Sequence, residues 1–436
     1  MKNIPVLTFF KITLAFLFLS IFTYNFFVAF NMRYETEGDA ASFIGLGVSL
    51  AEFQKYGHIN FPAGDNLITA FEKNHLSHKE ITFGGNSTWR PPVWPLLIAG
   101  IFLIFGYNLT FVLIFKFLLH LLGIYIFYKT LKLLKLQEAV ILIGTFLYGI
   151  SPAWQLYSRV FLSEPITLFF ITLWLYLLLR YIQEKSGIIP QALVGGVLIL
   201  SHPYYIFLPF SVWLILWLTK IVRVKDFLIS SAICASIVSI WVVRNFVVLE
   251  TNEIVLTTSS GAVMAKGWNY LVPELHTNTK GDLADEELVL EDYEYNRSQG
   301  FNEVERMALY KNATLNFIKS NPDLIIPIIS TKLFSAFNPF PETSKPGALE
   351  TGRWLFQLLA FIALFYILLI TNNKFLRSLV IGLITATIGI TALTYSGFRF
   401  RMPQVGLELL FIIYVLNDIT IRIKKKDWNF KNKSYI

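Results

Sequence analysis

Charged residues are scarce in this 436-residue sequence. Asp, Glu, Lys and Arg make up only 15% of it, against about 25% in soluble domains. With 55% hydrophobic residues and a mean hydropathy of +0.56, that scarcity excludes an ordinary water-soluble fold. Cysteine is nearly absent. The single Cys234, inside an apolar run, rules out an intrachain disulfide. No Gly-rich phosphate-cradling loop occurs, which disfavours an ATP-driven pump. His75 and His78 have helical spacing, but no further ligands accompany them, so no metal or other cofactor is expected. The apolar run from Pro5 to Phe30 is too long for a signal-peptide core and lacks a small-residue cleavage site. It is expected to be an uncleaved first span. No repeat of solenoid period stands out.

Apolar runs, by contrast, recur along most of the chain. Crossing a bilayer takes about 20 such residues, and candidate spans fall at 5–30, 108–131, 138–157, 165–183, 189–201, 203–222, 226–248, 353–371, 376–395 and 403–422. Forty Phe, 20 Tyr and 10 Trp suit a chain solvated by lipid, with Tyr and Trp at headgroup level. The net charge of +8 lies in short Lys/Arg clusters between apolar runs, which is orientation information rather than a nucleic-acid surface.

Two further apolar stretches, Pro91–Gly106 and Leu324–Phe340, are short or broken by proline and lysine. If neither crosses and Lys2 is cytoplasmic, then Lys129/Lys132/Lys135, Lys185, Lys220/Arg223/Lys225, Lys374/Arg377 and Lys424/Lys425/Lys426 all fall inside. Letting 91–106 cross alone would move the next three clusters outside. The expectation is therefore an all-α, multi-pass plasma-membrane protein with about ten transmembrane helices, interfacial juxtamembrane helices and both termini cytoplasmic. Residues 1–248 form a transmembrane module that includes a first extracytoplasmic loop, 31–107. Residues 249–352 form a second extracytoplasmic region, and 353–436 the last helices with a basic tail. The second region holds an acidic stretch, Asp282 to Glu294, read as a solvated surface, and a helix from Glu303 to Lys319.

Chemistry concentrates at the outer ends of the spans. Asp39 opens an amphipathic pattern with Phe43, Leu46, Leu50 and Phe53 on one face, as in an interfacial helix. It can cap that helix, serve as a general base, or do both. Arg90 precedes Pro91-Pro92 and an apolar helix, which puts its guanidinium at headgroup depth, suited to phosphate or to snorkelling. Glu164, in Ser163-Glu164-Pro165, opens a span and complements a helix dipole or acts as a functional acid. His202, Arg244, Arg399 and Arg401 place basic groups outward, against the inside bias. Anionic lipid headgroups or a bound phosphate would account for them.

The order of these features resembles the GT-C superfamily: glycosyltransferase family 39 with its protein-mannosyltransferase-like and aminoarabinose-transferase-like relatives. An acid follows the first span, Arg90-Pro91-Pro92 precedes an apolar helix, and Glu164 opens a later outer loop. Arg244-Asn245 ends another span, and Arg399-Phe400-Arg401-Met402-Pro403 precedes the last. The resemblance implies a GT-C-type fold and an inverting transfer from a polyprenyl-phosphate-linked sugar to a protein, lipid or glycan acceptor. It implies Asp39 as catalytic base, Glu164 as the second catalytic acid position, and Arg90, Arg244, Arg399 and Arg401 toward the donor phosphate. His202 stands where relatives carry Arg in a Thr-Arg-Pro-like stretch. No Asp-x-Glu metal pair marks the second loop.

The chemistry is coherent on its own terms. A lipid phosphate leaves as an anion and needs positive charge around it, each preorganised donor supplying about 3–4 kcal/mol. The attacking acceptor needs a base, typically giving about 10²–10⁴-fold. A flippase for lipid-linked saccharides would instead call for mid-span polar residues on broken, repeated helices. Lys116 and His120 are the main mid-span polar groups, and no inverted repeat is evident. An O-antigen polymerase or ligase would share the large outer loop and the arginines without needing the early acid.

Overall fold

The structure is a computed structural model. It describes residues 38–62, 81–151, 157–274, 286–338, 348–395 and 397–425, with isolated positions elsewhere. The expected first span, His75 and His78, and the last of the tail lysines lie outside the described residues. Sixteen helices and one two-stranded ribbon follow in chain order among those described.

Helix α1 (Gly38–Phe53) starts at a glycine with φ +56° and carries Asp39 in its first turn. Its buried positions are Ala40, Phe43, Ile44, Leu46, Gly47, Val48 and Ser49, most of them at helical spacing. This face is rotated from the one expected, because α2 (Val93–Phe105) covers it, with Trp94, Ile98 and Ile101 in the same core cluster. Leu50 and Phe53 are only half-buried. Between the two helices, β1 (Gly57–Asn60) and β2 (Thr82–Asn86) pair antiparallel with a bulge at His58/Ile59. This ribbon departs from the all-helical expectation. At 13 residues α2 is about 20 Å long, shorter than the roughly 30 Å hydrocarbon core.

The bundle follows. Helix α3 (Leu109–Leu133) is capped by the Asn108 side chain, which accepts from Thr110 N at 2.9 Å. Next come α4 (Glu138–Gly149), α5 (Glu164–Glu184), α6 (Ile188–Ser201), α7 (Leu208–Leu218) and α8 (Val224–Val248). His202-Pro203 breaks α6 from α7, since a helix seldom continues through the residue before proline. The second region forms α9 (Ser260–Gly267), α10 (Asp292–Ser298), α11 (Glu303–Ser320) and α12 (Ile325–Phe337). Helix α11 begins in a capping box: the Asn302 side chain accepts from Glu305 N, and Glu305 reaches back to Asn302 N. The chain closes with α13 (Ala348–Leu369), α14 (Lys374–Leu393), the short α15 (Phe398–Arg401) and α16 (Val405–Lys425).

Among the described residues, six stretches are long and apolar enough to cross a membrane: α3, α5, α8, 351–369, α14 and 399–425. They coincide with six of the expected spans. The expected spans 138–157, 189–201 and 203–222 appear instead as shorter apolar helices. Leu324–Phe340 contributes α12, of 13 residues. The main core joins α3 to α7 with α13, α14 and α16, and a second cluster unites α1 and α2 with the starts of α3 and α5.

Candidate active site

Four segments distant in sequence meet at one end of the bundle. Asp39 is the second residue of α1, and Arg90 lies just before the Pro91-Pro92 entry to α2. Glu164 is the first residue of α5, and Arg399 lies in α15. The Asp39 carboxylate bridges two guanidiniums: Oδ1 pairs with Arg90 Nη2, and Oδ2 with Arg399 Nη1 at 2.7 Å. Arg399 Nε also pairs with Glu164 Oε1. Arg90 Nε donates to Ser42 Oγ at 3.4 Å, and its guanidinium lies 5.5 Å from the Phe43 ring centre. Two cations and two carboxylates thus sum to zero charge.

The electrostatics differ from group to group. Burial works to raise the Asp39 pKa, but the Arg90 and Arg399 charges together with their hydrogen bonds outweigh it and hold the carboxyl below its ordinary value. Glu164 is fully buried, and its second oxygen, Oε2, has no partner among the described residues. His202 closes the group from the α6–α7 break. Burial lowers its pKa to about 4, with Arg399 and Arg90 pushing the same way and Glu164 and Asp39 opposing. Its ring stands edge-on to Tyr204, Tyr205 and Phe400, and its Nδ1 has no partner among the described residues.

The other expected site residues are placed differently. Arg401 is buried, and its Nη2 donates to Glu408 Oε1 of α16 at 2.9 Å, while Nη1 has no partner among the described residues. Arg244 packs over the rings of Tyr56 and Trp241. It donates to Ser87 O at 3.2 Å, Thr88 Oγ1 at 3.0 Å, Asn245 Oδ1 at 3.1 Å and Tyr56 O at 2.9 Å. These partners belong to the strand-flanking loops and to α8, not to the Asp39 cluster. Lys116 and His120, the mid-span polar pair, both serve the segment before Glu164. Lys116 Nζ donates to Tyr157 O at 3.1 Å and to Val160 O, while His120 meets Gly149 O at 3.1 Å and stacks on Trp154.

Sequence reasoning missed Glu303, His58 and Glu408. The capping box at Asn302 signals a helix start, but nothing in one dimension tells that its first residue reaches the β ribbon. Beside the cluster, a cavity of about 1060 Å³ is lined by Gly38, Ser42, Trp89, His58, Glu303 and Arg306 among others. Among the described residues no three His, Cys, Asp or Glu side chains group to hold a metal ion.

These features define a polytopic helical protein with paired acid–arginine groups at one end of its bundle. Residues 89–243, just over a third of the chain, match the family model described as dolichyl-phosphate-mannose-protein mannosyltransferase. That match supports the GT-C superfamily assignment. The matched segment includes Arg90, Glu164 and His202 and stops short of Asp39, Arg244 and Arg399. No curated protein matches the chain. Among solved structures, ArnT from Cupriavidus metallidurans bound to undecaprenyl phosphate is similar at 13% identity. The similarity covers 95% of this chain and 80% of that one with a TM-score of 0.38, and a likeness that loose carries no residue role across.

Proposed function

We propose that the protein transfers a sugar from a polyprenyl-phosphate-linked donor to an acceptor at the extracytoplasmic face, inverting the anomeric centre. The observation that carries this reading is the meeting of Asp39, Arg90, Glu164 and Arg399 in one ion-pair network. In the transfer, the acceptor oxygen or nitrogen attacks the anomeric carbon and the carbon–oxygen bond to phosphate breaks. The phosphate leaves with that bonding pair as an anion, and the acceptor proton passes to the Asp39 carboxylate. Arg90 and Arg399 stabilise the leaving phosphate, which needs no proton of its own.

Ion pairing gives the network a second role. While Asp39 is clamped by two guanidiniums it is a weak base. A donor phosphate that draws Arg90 and Arg399 toward itself loosens the clamp, and the carboxylate regains basicity only once the donor is seated. Glu164, buried and bound to Arg399, keeps that guanidinium at the site, and Oε2 offers a further acceptor. The unpartnered Nη1 of Arg401 and Nδ1 of His202 offer further polar contacts to the donor head group, while Arg244 acts on the loop that carries Arg90.

The test is Asp39→Asn in purified, lipid-reconstituted protein given a labelled polyprenyl-phosphate sugar. Transfer is expected to fall by about 10²–10⁴-fold, with membrane insertion and thermal unfolding retained. Undiminished transfer would remove Asp39 from the reaction.

A further inference from the structure

The backbone that presents Arg90 is held from outside its own region. Thr88 N donates to Glu303 Oε2 at 3.0 Å and Ser87 Oγ to Glu303 Oε1 at 2.6 Å. The same carboxylate accepts from Thr258 Oγ1 at 2.7 Å and pairs with His58 Nε2 at 2.6 Å. Glu303 is the first residue of α11, in the second outer region, and Thr258 lies just before α9 of that region. Thr258 N also donates to Thr88 O at 3.0 Å. On the other side, Thr88 Oγ1 donates to Asn245 Oδ1 at 3.0 Å, and Tyr56 Oη donates to the carbonyl of Arg90 itself at 2.8 Å. Arg90 therefore hangs from a segment fixed at both ends, with Glu303 as the acceptor that the β ribbon, the Ser87–Thr88 segment and the second outer region share.

We infer that Glu303 is a positioning residue for Arg90: it joins the second outer region to the Ser87–Thr88 segment and thereby sets where the Arg90 guanidinium meets Asp39 and the donor phosphate. The inference rests on the transfer reading above for its catalytic consequence but not for its structural one. Desolvating a carboxylate is unfavourable, and Glu303 offsets that with four donors around its two oxygens. The result is a pinned loop rather than a surface ion pair. A misplacement of about 1 Å in such a group can cost on the order of 10²-fold in rate, so loosening this segment acts on catalysis without touching the reacting atoms.

A double-mutant cycle on reconstituted protein decides the matter. Glu303→Ala is expected to lower kcat over donor KM by about 30–100-fold, chiefly through the donor. If it acts through Arg90, adding it to Arg90→Ala changes the rate by no more than about 3-fold further. Multiplicative losses in the double variant would mean that Glu303 acts elsewhere, and they would overturn the inference. Thr258→Val, which removes one donor to Glu303 and leaves Ser87–Trp89 untouched, is the milder variant, with an expected loss of about 2–5-fold. Hydrogen exchange separates the two readings. In Glu303→Ala the Thr88 amide is expected to lose protection while α1 keeps its own, and unchanged protection overturns the positioning role whether or not the wild-type protein transfers sugar. A wild-type protein that transfers nothing, combined with lost Thr88 protection in the variant, sinks the transferase reading and leaves the loop-ordering role standing.

Discussion

His202 is the residue whose titration separates folding from chemistry most cleanly. In the unfolded chain its imidazole takes up a proton near 6.5, whereas burial in the folded protein lowers that value to about 4. Between those two values the unfolded state holds more protons than the folded one, so the contribution of His202 to stability rises with pH there. It is fully present above about 6.5 and is lost as pH falls toward 4. The charges facing the ring are Glu164 and Asp39 on one side of the balance and Arg399 and Arg90 on the other. Thermal unfolding of wild type and His202→Gln in detergent, scanned from pH 7 to pH 4.5, is expected to show a steeper acid decline for wild type. Parallel curves would mean that the imidazole is not held neutral. Asp39 behaves in the opposite sense to an ordinary buried acid: while Arg90 and Arg399 clamp it, its depressed pKa keeps it ionised to low pH, so the acid decline in stability in this window is not expected to come from Asp39.

At the scale of elements, most of the helical pattern could be read from the sequence, and the exceptions have physical causes. Asp39, Arg90 and Glu164, which meet in the ion-pair network, are legible as candidates because each sits at a helix entrance, where caps, prolines and dipoles leave a mark in one dimension. The Glu303 knot was not found, since a carboxylate at a helix start looks the same whether it faces solvent or three separate chain segments. The β ribbon was missed because 21 residues separate its strands and no two-residue turn joins them. The buried face of α1 is rotated from the expected one: Phe43 and Leu46 are buried, Leu50 and Phe53 only half so, and Ala40, Ile44, Gly47 and Val48 join the contact. At Gly47 an added Cβ would lie 2.8 Å from Ile98 Cβ of α2, so the absence of a side chain lets the two helices approach. Gly47→Val should lever α1 from α2 and separate Asp39 from Arg90. Transfer is expected to drop by at least about 10-fold, with unfolding destabilised by about 1–3 kcal/mol from overpacking, measured by turnover and denaturant titration. An unchanged rate would show that the α1–α2 contact does not set the ion pair.

For the whole molecule, the question is which end faces which side of the membrane. Several basic clusters converge on one end of the bundle. Lys424 Nζ reaches Gln137 Oε1 at 3.1 Å, Gln183 Nε2 reaches Leu133 O at 2.7 Å, and Lys185 Nζ reaches Ile221 O at 3.5 Å. The turns carrying Lys132/Lys135, Lys185, Lys220/Arg223 and Lys424 are therefore neighbours. The network of Asp39, Arg90, Glu164 and Arg399 lies at the opposite ends of the helices that leave those turns. Under the positive-inside rule the basic end is expected to be cytoplasmic and the ion-pair end extracytoplasmic. The lone Cys234 is buried, so an introduced cysteine can be labelled against little background. Ile254, between α8 and α9, is 90% exposed, and Lys424 is exposed at the far end of α16. In intact cells a membrane-impermeant maleimide is expected to modify Ile254→Cys at once and Lys424→Cys only after permeabilisation. The reverse pattern would invert the protein in the bilayer. It would put the carboxylate–arginine network on the cytoplasmic face, where an extracytoplasmic acceptor could not reach Asp39.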